Sequence, residues 1–289
     1  MPFTTHSNKN YQLLDHGAGK RLEKFGDVIT IRPENNANDK PKLTRAQWLE
    51  MAHIEFLEER GQKGKWVSLK DHPQGWQFDF PVKDFDIRFN LKLTAFKHVG
   101  VFPEQGCNWD FIVDQIRSIQ KDEEEVRVLN LFAYTGGASI AAAKAGAKVT
   151  HVDSIKQVVN WTKENAASSG IEGIRWIVDD ALKFAQKEAR RGKTYHGIVM
   201  DPPSFGRGPK GERWKIEEQI DALLEATSAI AEDNFFAVIN TYSGLSPEDM
   251  EMRIRRCFGK RKIDSGSLTV ESKYGRLLHT GTLNRIVAH

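Results

Sequence analysis

The sequence predicts an α/β fold: a doubly wound parallel sheet with a C-terminal antiparallel strand pair, preceded by a smaller β-rich domain. Three observations predict it. From about residue 101 short apolar runs alternate with helix-length segments of 3.6 period. Before residue 100 the pattern is mostly of period two, and near the C-terminus two such runs flank Gly275. The expected division is therefore 1–100, β-rich, and 101–289, α/β.

In the first part, Phe85, Ile87, Phe89, Leu91 and Leu93 alternate with Asp86, Arg88, Asn90 and Lys92, a half-buried strand, and Trp76, Phe78 and Phe80 repeat the pattern. The polar stretch Pro33 to Lys42 reads as a loop and Trp48 to Glu59 as a helix. In the second part, Trp109, Ile112, Val113, Ile116 and Ile119 mark one helix face. Strands are expected over 126–131, 148–153, 174–178, 198–200 and 235–240, the first of them buried on both faces. Helices are expected over 138–145, 155–168, 181–191 and 216–231. Ser246-Pro247 supplies an N-cap and a first-turn proline for a helix running to about Phe258, and 267–270 and 277–286 form the closing strand pair.

Composition narrows the functional classes. Hydrophobic residues make up 39% and charged residues 28%, ordinary for a globular chain, and no apolar run approaches the roughly 20 residues of a membrane span. The start, Met1-Pro2-Phe3-Thr4-Thr5-His6, has neither a basic nor an apolar stretch, so a cytoplasmic location without membrane contact is expected. Cys107 and Cys257 have no metal-ligand spacing and the nine histidines do not cluster, so no metal is expected. The formal net charge of +3 is too small to name a partner, and the sequence is compatible with a homo-oligomer.

In a doubly wound sheet, ligands bind beyond the carboxyl ends of the strands. Here those ends carry Asn130-Leu131-Phe132-Ala133-Tyr134-Thr135-Gly136-Gly137, then Asp153, then Asp179-Asp180-Ala181, then Asp201-Pro202-Pro203-Ser204-Phe205. Gly136 and Gly137 suit a turn where a ligand approaches bare backbone, and Asp153 suits the hydroxyls of a ribose. Neither GxGxxG nor GxxxxGK[ST] occurs, and Gly17-Ala18-Gly19-Lys20 lacks the spacing of a phosphate loop, so an adenosine ligand without pyrophosphate is favoured.

In this order the motifs resemble those of class I S-adenosylmethionine-dependent methyltransferases, and within them are similar to the bacterial large-subunit ribosomal RNA methyltransferase group. The resemblance implies a Rossmann-like methyltransferase domain and S-adenosyl-L-methionine as cofactor. It further implies that Asn130, Phe132, Ala133, Tyr134, Thr135, Gly136 and Gly137 wrap the methionine part, Asp153 holds the ribose, and Asp180 with Ala181 meets the adenine. Gln105, in Phe102-Pro103-Glu104-Gln105, belongs to a segment that closes over the cofactor.

Asp201, which also counts among the cofactor-binding residues, Pro202, Pro203 and Phe205 then stand where the methyl acceptor binds, the acceptors localising an amino lone pair and Phe205 stacking on the ring. Relatives that methylate cytosine C5 place a cysteine before Ser-Gly-Leu, whereas Tyr242 precedes Ser243-Gly244-Leu245 here, which favours an amino or ring nitrogen. The expected substrate is RNA, with Arg207, Lys210, Arg213, Trp214 and Tyr242 facing it, and Arg253 to Lys262 form a second basic cluster. The rival readings are a protein or small-molecule acceptor and a non-catalytic binding protein on the same fold.

Overall fold

The computed structural model describes residues 2–59, 63–208, 211, 213–242 and 245–288. They form two compact units, one of Met1–Phe3, Asn108–Ser267 and Gly281–His289, the other of Thr4–Cys107 and Leu268–Thr280.

The unit rich in strands contains most of β1 (Phe3–Thr5), then β2 (Tyr11–Gly17), β3 (Lys20–Phe25), β4 (Val28–Pro33), α1 (Arg45–Met51), β5 (Ile54–Glu58), β6 (Gly64–Ser68), β7 (Gly75–Val82) and β8 (Phe85–Lys92). Strands β2 to β6 make one five-stranded sheet in chain order, and β7 pairs with β8. Gly17-Ala18-Gly19-Lys20 is a hairpin turn whose central residues, Ala18 and Gly19, have φ of 50° and 75°, the left-handed pair that matches strand twist.

The core of this unit joins the rings of Tyr11, Phe25, Phe78, Phe80 and Phe89 to a buried carboxylate. Glu23 accepts from Arg32 Nε (2.9 Å) and Nη2 (2.5 Å) and from the Tyr11 hydroxyl (2.9 Å), with Arg21 Nε at 3.1 Å. Burial alone would raise its pKa, but the two guanidinium groups hold it below the usual range.

The expected helix over Trp48 to Glu59 is a misreading. Helix α1 ends at Met51, the chain turns extended at Ala52 (ψ 145°), and Ile54 to Glu58 is a strand between β4 and β6. Ile54 and Phe56 alternate inward there. Glu55 is buried between Lys20 and Arg45, a polar position that the hydrophobic pattern could not classify.

The α/β unit follows a short 3-10 turn, Pro103–Gln105, and the start of α2 (Gly106–Ile119). Its elements are β9 (Arg127–Leu131), α3 (Gly137–Lys144), β10 (Lys148–Asp153), α4 (Lys156–Ser168), β11 (Arg175–Val178), α5 (Ala181–Arg190) and β12 (Tyr195–Met200). Then come β13 (Phe205–Arg207), β14 (Arg213–Lys215), α6 (Ile216–Ser228), β15 (Ala231–Thr241), α7 (Pro247–Phe258), β16 (Lys262–Glu271) and β17 (Leu277–Ala288). The eight-stranded sheet runs β1-β16-β17-β15-β12-β9-β10-β11.

Strands β15, β12, β9, β10 and β11 are parallel, and β17 is antiparallel to β15. The strand order reverses between β9 and β12, the switch point at which ligands bind in such sheets. Val128, Leu129, Leu131, Val152 and Ile198 lie between helix layers with no more than traces of exposure, as continuous apolar strands require. The Rossmann-like expectation holds, with antiparallel strands at the C-terminus. No helix among the described residues is long and apolar enough to cross a membrane.

Candidate active site

Register at the switch point brings the motifs together. Leu131 pairs with Val152 on one side and Met200 on the other, so Phe132, Asp153 and Asp201 leave adjacent strands side by side. The Asp201 N–H points to the Leu131 carbonyl (3.4 Å) and the Ala133 N–H to the Val152 carbonyl (3.1 Å).

Between them the turn after β9 is tightly wound: Phe132, Tyr134 and Gly136 have φ of 55°, 47° and 87°. Two non-glycine residues in the left-handed region with a single residue between them are uncommon and need surrounding support. Asp153 gives it from one side. Its Oδ2 accepts the Tyr134 N–H (3.0 Å) and its Oδ1 the Ile155 N–H (2.9 Å). Burial raises the Asp153 pKa, although the backbone donors of Ile155, Tyr134 and Ser154 favour its charge.

Helix α4 supports the turn from below: Thr162 Oγ1 donates to the Tyr134 carbonyl (2.7 Å) and Asn165 Nδ2 to the Thr135 carbonyl (2.9 Å). This alters the reason for the glycine pair. A Cβ on Gly136 would stand 2.1 Å from Thr162 Cγ2, and one on Gly137 would stand 2.4 Å from Trp109 Cζ2. The bare faces of both glycines are filled by the protein's own side chains. Asn130, expected among the wrapping residues, is 2% exposed within β9 and donates to Ser139 Oγ (2.9 Å), so its side chain belongs to this underlying support.

Asp180 is the N-cap of α5, its Oδ1 accepting the Lys183 N–H (2.9 Å), and Ala181 is buried as the first helical residue. Two exposed apolar residues escaped the sequence reading: Ile155 (42% exposed), which follows the Asp153 turn, and Val178 (51%), which precedes Asp179-Asp180. Each was taken as a strand or helix terminus, and only its exposure marks it. Gln105 lies in the strand-rich unit, 8% exposed at the end of the 3-10 turn.

On the acceptor side, Tyr242 reaches back from the end of β15, and its hydroxyl donates to Asp201 Oδ1 at 2.6 Å. A Cβ on Gly281 of β17 would lie 2.7 Å from the Thr241 carbonyl and 3.2 Å from the ring of Tyr242, so the glycine leaves room for both. Pro202 is buried, Pro203 is exposed and Phe205 is 51% exposed. The segment beyond contains the two-stranded β13–β14 ribbon, with Phe205 paired to Lys215.

Trp214, expected to face RNA, is instead buried. Its Nε1 donates to the Pro203 carbonyl (2.6 Å) and its ring lies 4.8 Å from that of Phe132, tying the acceptor segment to the turn after β9. The cause is apolar: indole is largely hydrophobic, and a core beside it with one carbonyl in reach satisfies both its faces and its N–H. Arg213 is exposed, whereas Lys210, Ser243, Gly244 and the side chain of Arg207 lie outside the described residues.

The second basic cluster is largely neutralised locally. Arg253 and Arg256 share Asp221 at 2.5 and 2.8 Å, and Arg255 pairs with Glu251 at 2.7 Å. Among the described residues no group of three or more His, Cys, Asp or Glu is placed to hold a metal ion.

The family model described as S-adenosylmethionine-dependent methyltransferase matches residues 65–223, more than half of the chain. The chain belongs to the S-adenosylmethionine-dependent methyltransferases. A solved methyltransferase of that kind from Agrobacterium tumefaciens is similar to this methyltransferase with a TM-score of 0.89 and 34% identity, over 100% of this chain and 94% of that one. A structure of the same description from Streptococcus mutans matches with a TM-score of 0.73 at 17% identity, over 96% and 75% of the two chains, a likeness of fold.

Among curated relatives, the ribosomal RNA large subunit methyltransferase K/L of Shewanella frigidimarina is 31% identical over 202 residues, 68% of this methyltransferase and 27% of that protein. The chain thus spans about a quarter of that relative's length. The enzyme uses S-adenosylmethionine, as the sequence motifs imply.

Proposed function

We propose that this methyltransferase transfers a methyl group to a nitrogen of an RNA base, ribosomal RNA being the substrate that the Shewanella relative's name suggests. The observation that carries the choice of atom is the Tyr242 hydroxyl on Asp201 Oδ1. A phenol bonded to a carboxylate organises an acceptor for N–H groups, and it stands where C5 chemistry would need a thiol. Arg213 and the β-rich N-terminal part of the chain, 1–100 as the sequence divides it, are assigned to holding RNA in the cytoplasm. The test is mass spectrometry of nucleosides from RNA methylated by the purified enzyme. An N-methylated base is expected, and 5-methylcytosine overturns the reading.

The residues present suit the cofactor. Asp153, a carboxylate half-buried at a strand end, takes ribose hydroxyls, and Ile155 and Val178 offer apolar faces for adenine. The carbonyls of Ala133, Tyr134 and Thr135 already accept from Gly136, Thr162 and Asn165, which leaves the Phe132 carbonyl, among the described residues of the turn, to take the methionine ammonium. When bound, the cofactor supplies an electrophilic methyl group on a sulfonium. Asp201 accepts an N–H of the base, localises the nitrogen lone pair and aligns it, and Phe205 offers a ring face to the base.

The raised pKa of Asp153 gives the reading a pH signature. The ionised carboxylate is the form that accepts ribose hydroxyls on both oxygens. Affinity for S-adenosylhomocysteine is therefore expected to be full at neutral pH and to fall on acidification, with a midpoint above the ordinary aspartate value of about 3.9. Calorimetric titration across that range checks it, and Asp153→Asn should bind more weakly with that dependence removed.

A further inference from the structure

Beneath the turn after β9 a line of buried side chains crosses four elements, β9, α3, β10 and α4. Asn130 Nδ2 lies 2.9 Å from Ser139 Oγ, Ser139 Oγ 2.9 Å from His151 Nδ1, and His151 Nε2 3.5 Å from Thr162 Oγ1, which lies 2.7 Å from the Tyr134 carbonyl. Asn130, Ser139, His151 and Thr162 are each 2% exposed or less. None of these contacts has a counterpart in the motifs that the sequence displays.

The two ends fix the polarity of the line. An amide nitrogen only donates, and a carbonyl only accepts. Thr162 has one proton and two carbonyls in reach, Tyr134 at 2.7 Å and Val158 at 3.1 Å; whichever takes it, the Thr162 oxygen can only accept from the imidazole, and the donor facing it is Nε2–H of His151. Nδ1 is then bare and accepts the Ser139 hydroxyl, whose oxygen accepts the amide of Asn130. From Asn130 to the Tyr134 carbonyl the bonds then run in one direction, with the Val158 carbonyl sharing the Thr162 hydroxyl, and one tautomer of a neutral imidazole satisfies them. Burial pushes the His151 pKa down to about 3, so the neutral ring is the form favoured at neutral pH.

We propose that His151, as its Nε2–H tautomer, and Thr162 are positioning residues for the cofactor, holding the Tyr134 carbonyl and with it the left-handed turn whose opposite edge is pinned by Asp153. The proposal rests on the assignment of that turn to the cofactor. The function of the line is preorganisation. Phe132 and Tyr134 occupy a backbone region unfavourable to side chains, and without a partner the Tyr134 peptide is free to rotate out of it, so that ordering is charged against cofactor binding.

Thr162 gives the test, because its two branches do different things. Its Cγ2 packs under Gly136 and its Oγ1 holds the carbonyl. Thr162→Val keeps the methyl and loses the oxygen, and Thr162→Ser does the reverse. Titration of the full chain with S-adenosylhomocysteine is expected to show Thr162→Val weakened about tenfold, the size of one net hydrogen bond, and Thr162→Ser near wild type. The opposite order makes Thr162 a packing residue and overturns the proposal. In the wild type, nitrogen NMR of His151 is expected to show a protonated Nε2 and a bare Nδ1 at neutral pH. The other tautomer or an imidazolium overturns it. Asp153→Ala is the control for the site: unchanged affinity there removes the turn from the cofactor and the proposal with it. Weakened binding in Asp153→Ala with none in Thr162→Val refutes the proposal alone.

Discussion

Asp201→Ala is expected to slow methyl transfer by about 10²–10³-fold while leaving S-adenosylhomocysteine affinity within a few fold. The main chain at Asp201 is anchored independently of its side chain, through β12 and the contact with the Leu131 carbonyl, so the loss falls on the acceptor and not on the turn that faces the cofactor. Tyr242→Phe removes one donor to the same carboxylate and keeps the ring that Gly281 accommodates, and a loss of about tenfold is expected. Single-turnover assays with RNA and saturating cofactor separate the two. Equal rates for wild type and Asp201→Ala would remove Asp201 from the chemistry.

Gly136→Ala is expected to be the most destabilising single methyl group in the α/β unit. At φ 87° an L-residue costs about 1–2 kcal/mol, and a Cβ only 2.1 Å from Thr162 Cγ2 adds about 1–3 kcal/mol of overpacking. The two parts are separable. In a Thr162→Ser background the methyl that collides is gone, so Gly136→Ala should recover the packing part and keep the conformational part, a coupling that thermal melts of the four proteins measure. An additive cycle would show that the clash relaxes by some other movement.

The α/β half was legible because its strands are buried on both faces and its helices on one. Val126 to Leu131 and the Ile220, Leu223 and Leu224 face of α6 therefore announced themselves. The motif residues at the strand ends were legible for the same reason: once the strands were placed, their ends were too. Residues 48–59 were misread because Trp48 and Met51 continue into Ile54 and Phe56 without a break in hydrophobicity, and the buried Glu55 looks like the polar face of a helix. Trp214 was misread because a tryptophan among glycine and basic residues resembles a base-stacking element, while the carbonyl and ring that bury it come from Pro203 and Phe132, distant in sequence. The line through Ser139, His151 and Thr162 had no sequence signal at all, since its members meet only through the packing of α3 and α4 on the sheet.

The position of β17 bears on how such a chain is assembled. It is synthesised after the other strands of its sheet, yet it lies between β15 and β16, so that β16 and, through it, β1 join the parallel strands only by way of β17. As the chain emerges from the ribosome, the strands from β9 to β15 can pair with one another while the edge of β15 stays open. That edge carries Asn240 and Thr241, next to Tyr242, and it is covered when residues 282 and 283 pair with them. The end of β15, from which Tyr242 reaches Asp201, is thus completed late, by long-range pairing of the kind that slows folding, whereas the turn after β9 needs only its neighbours.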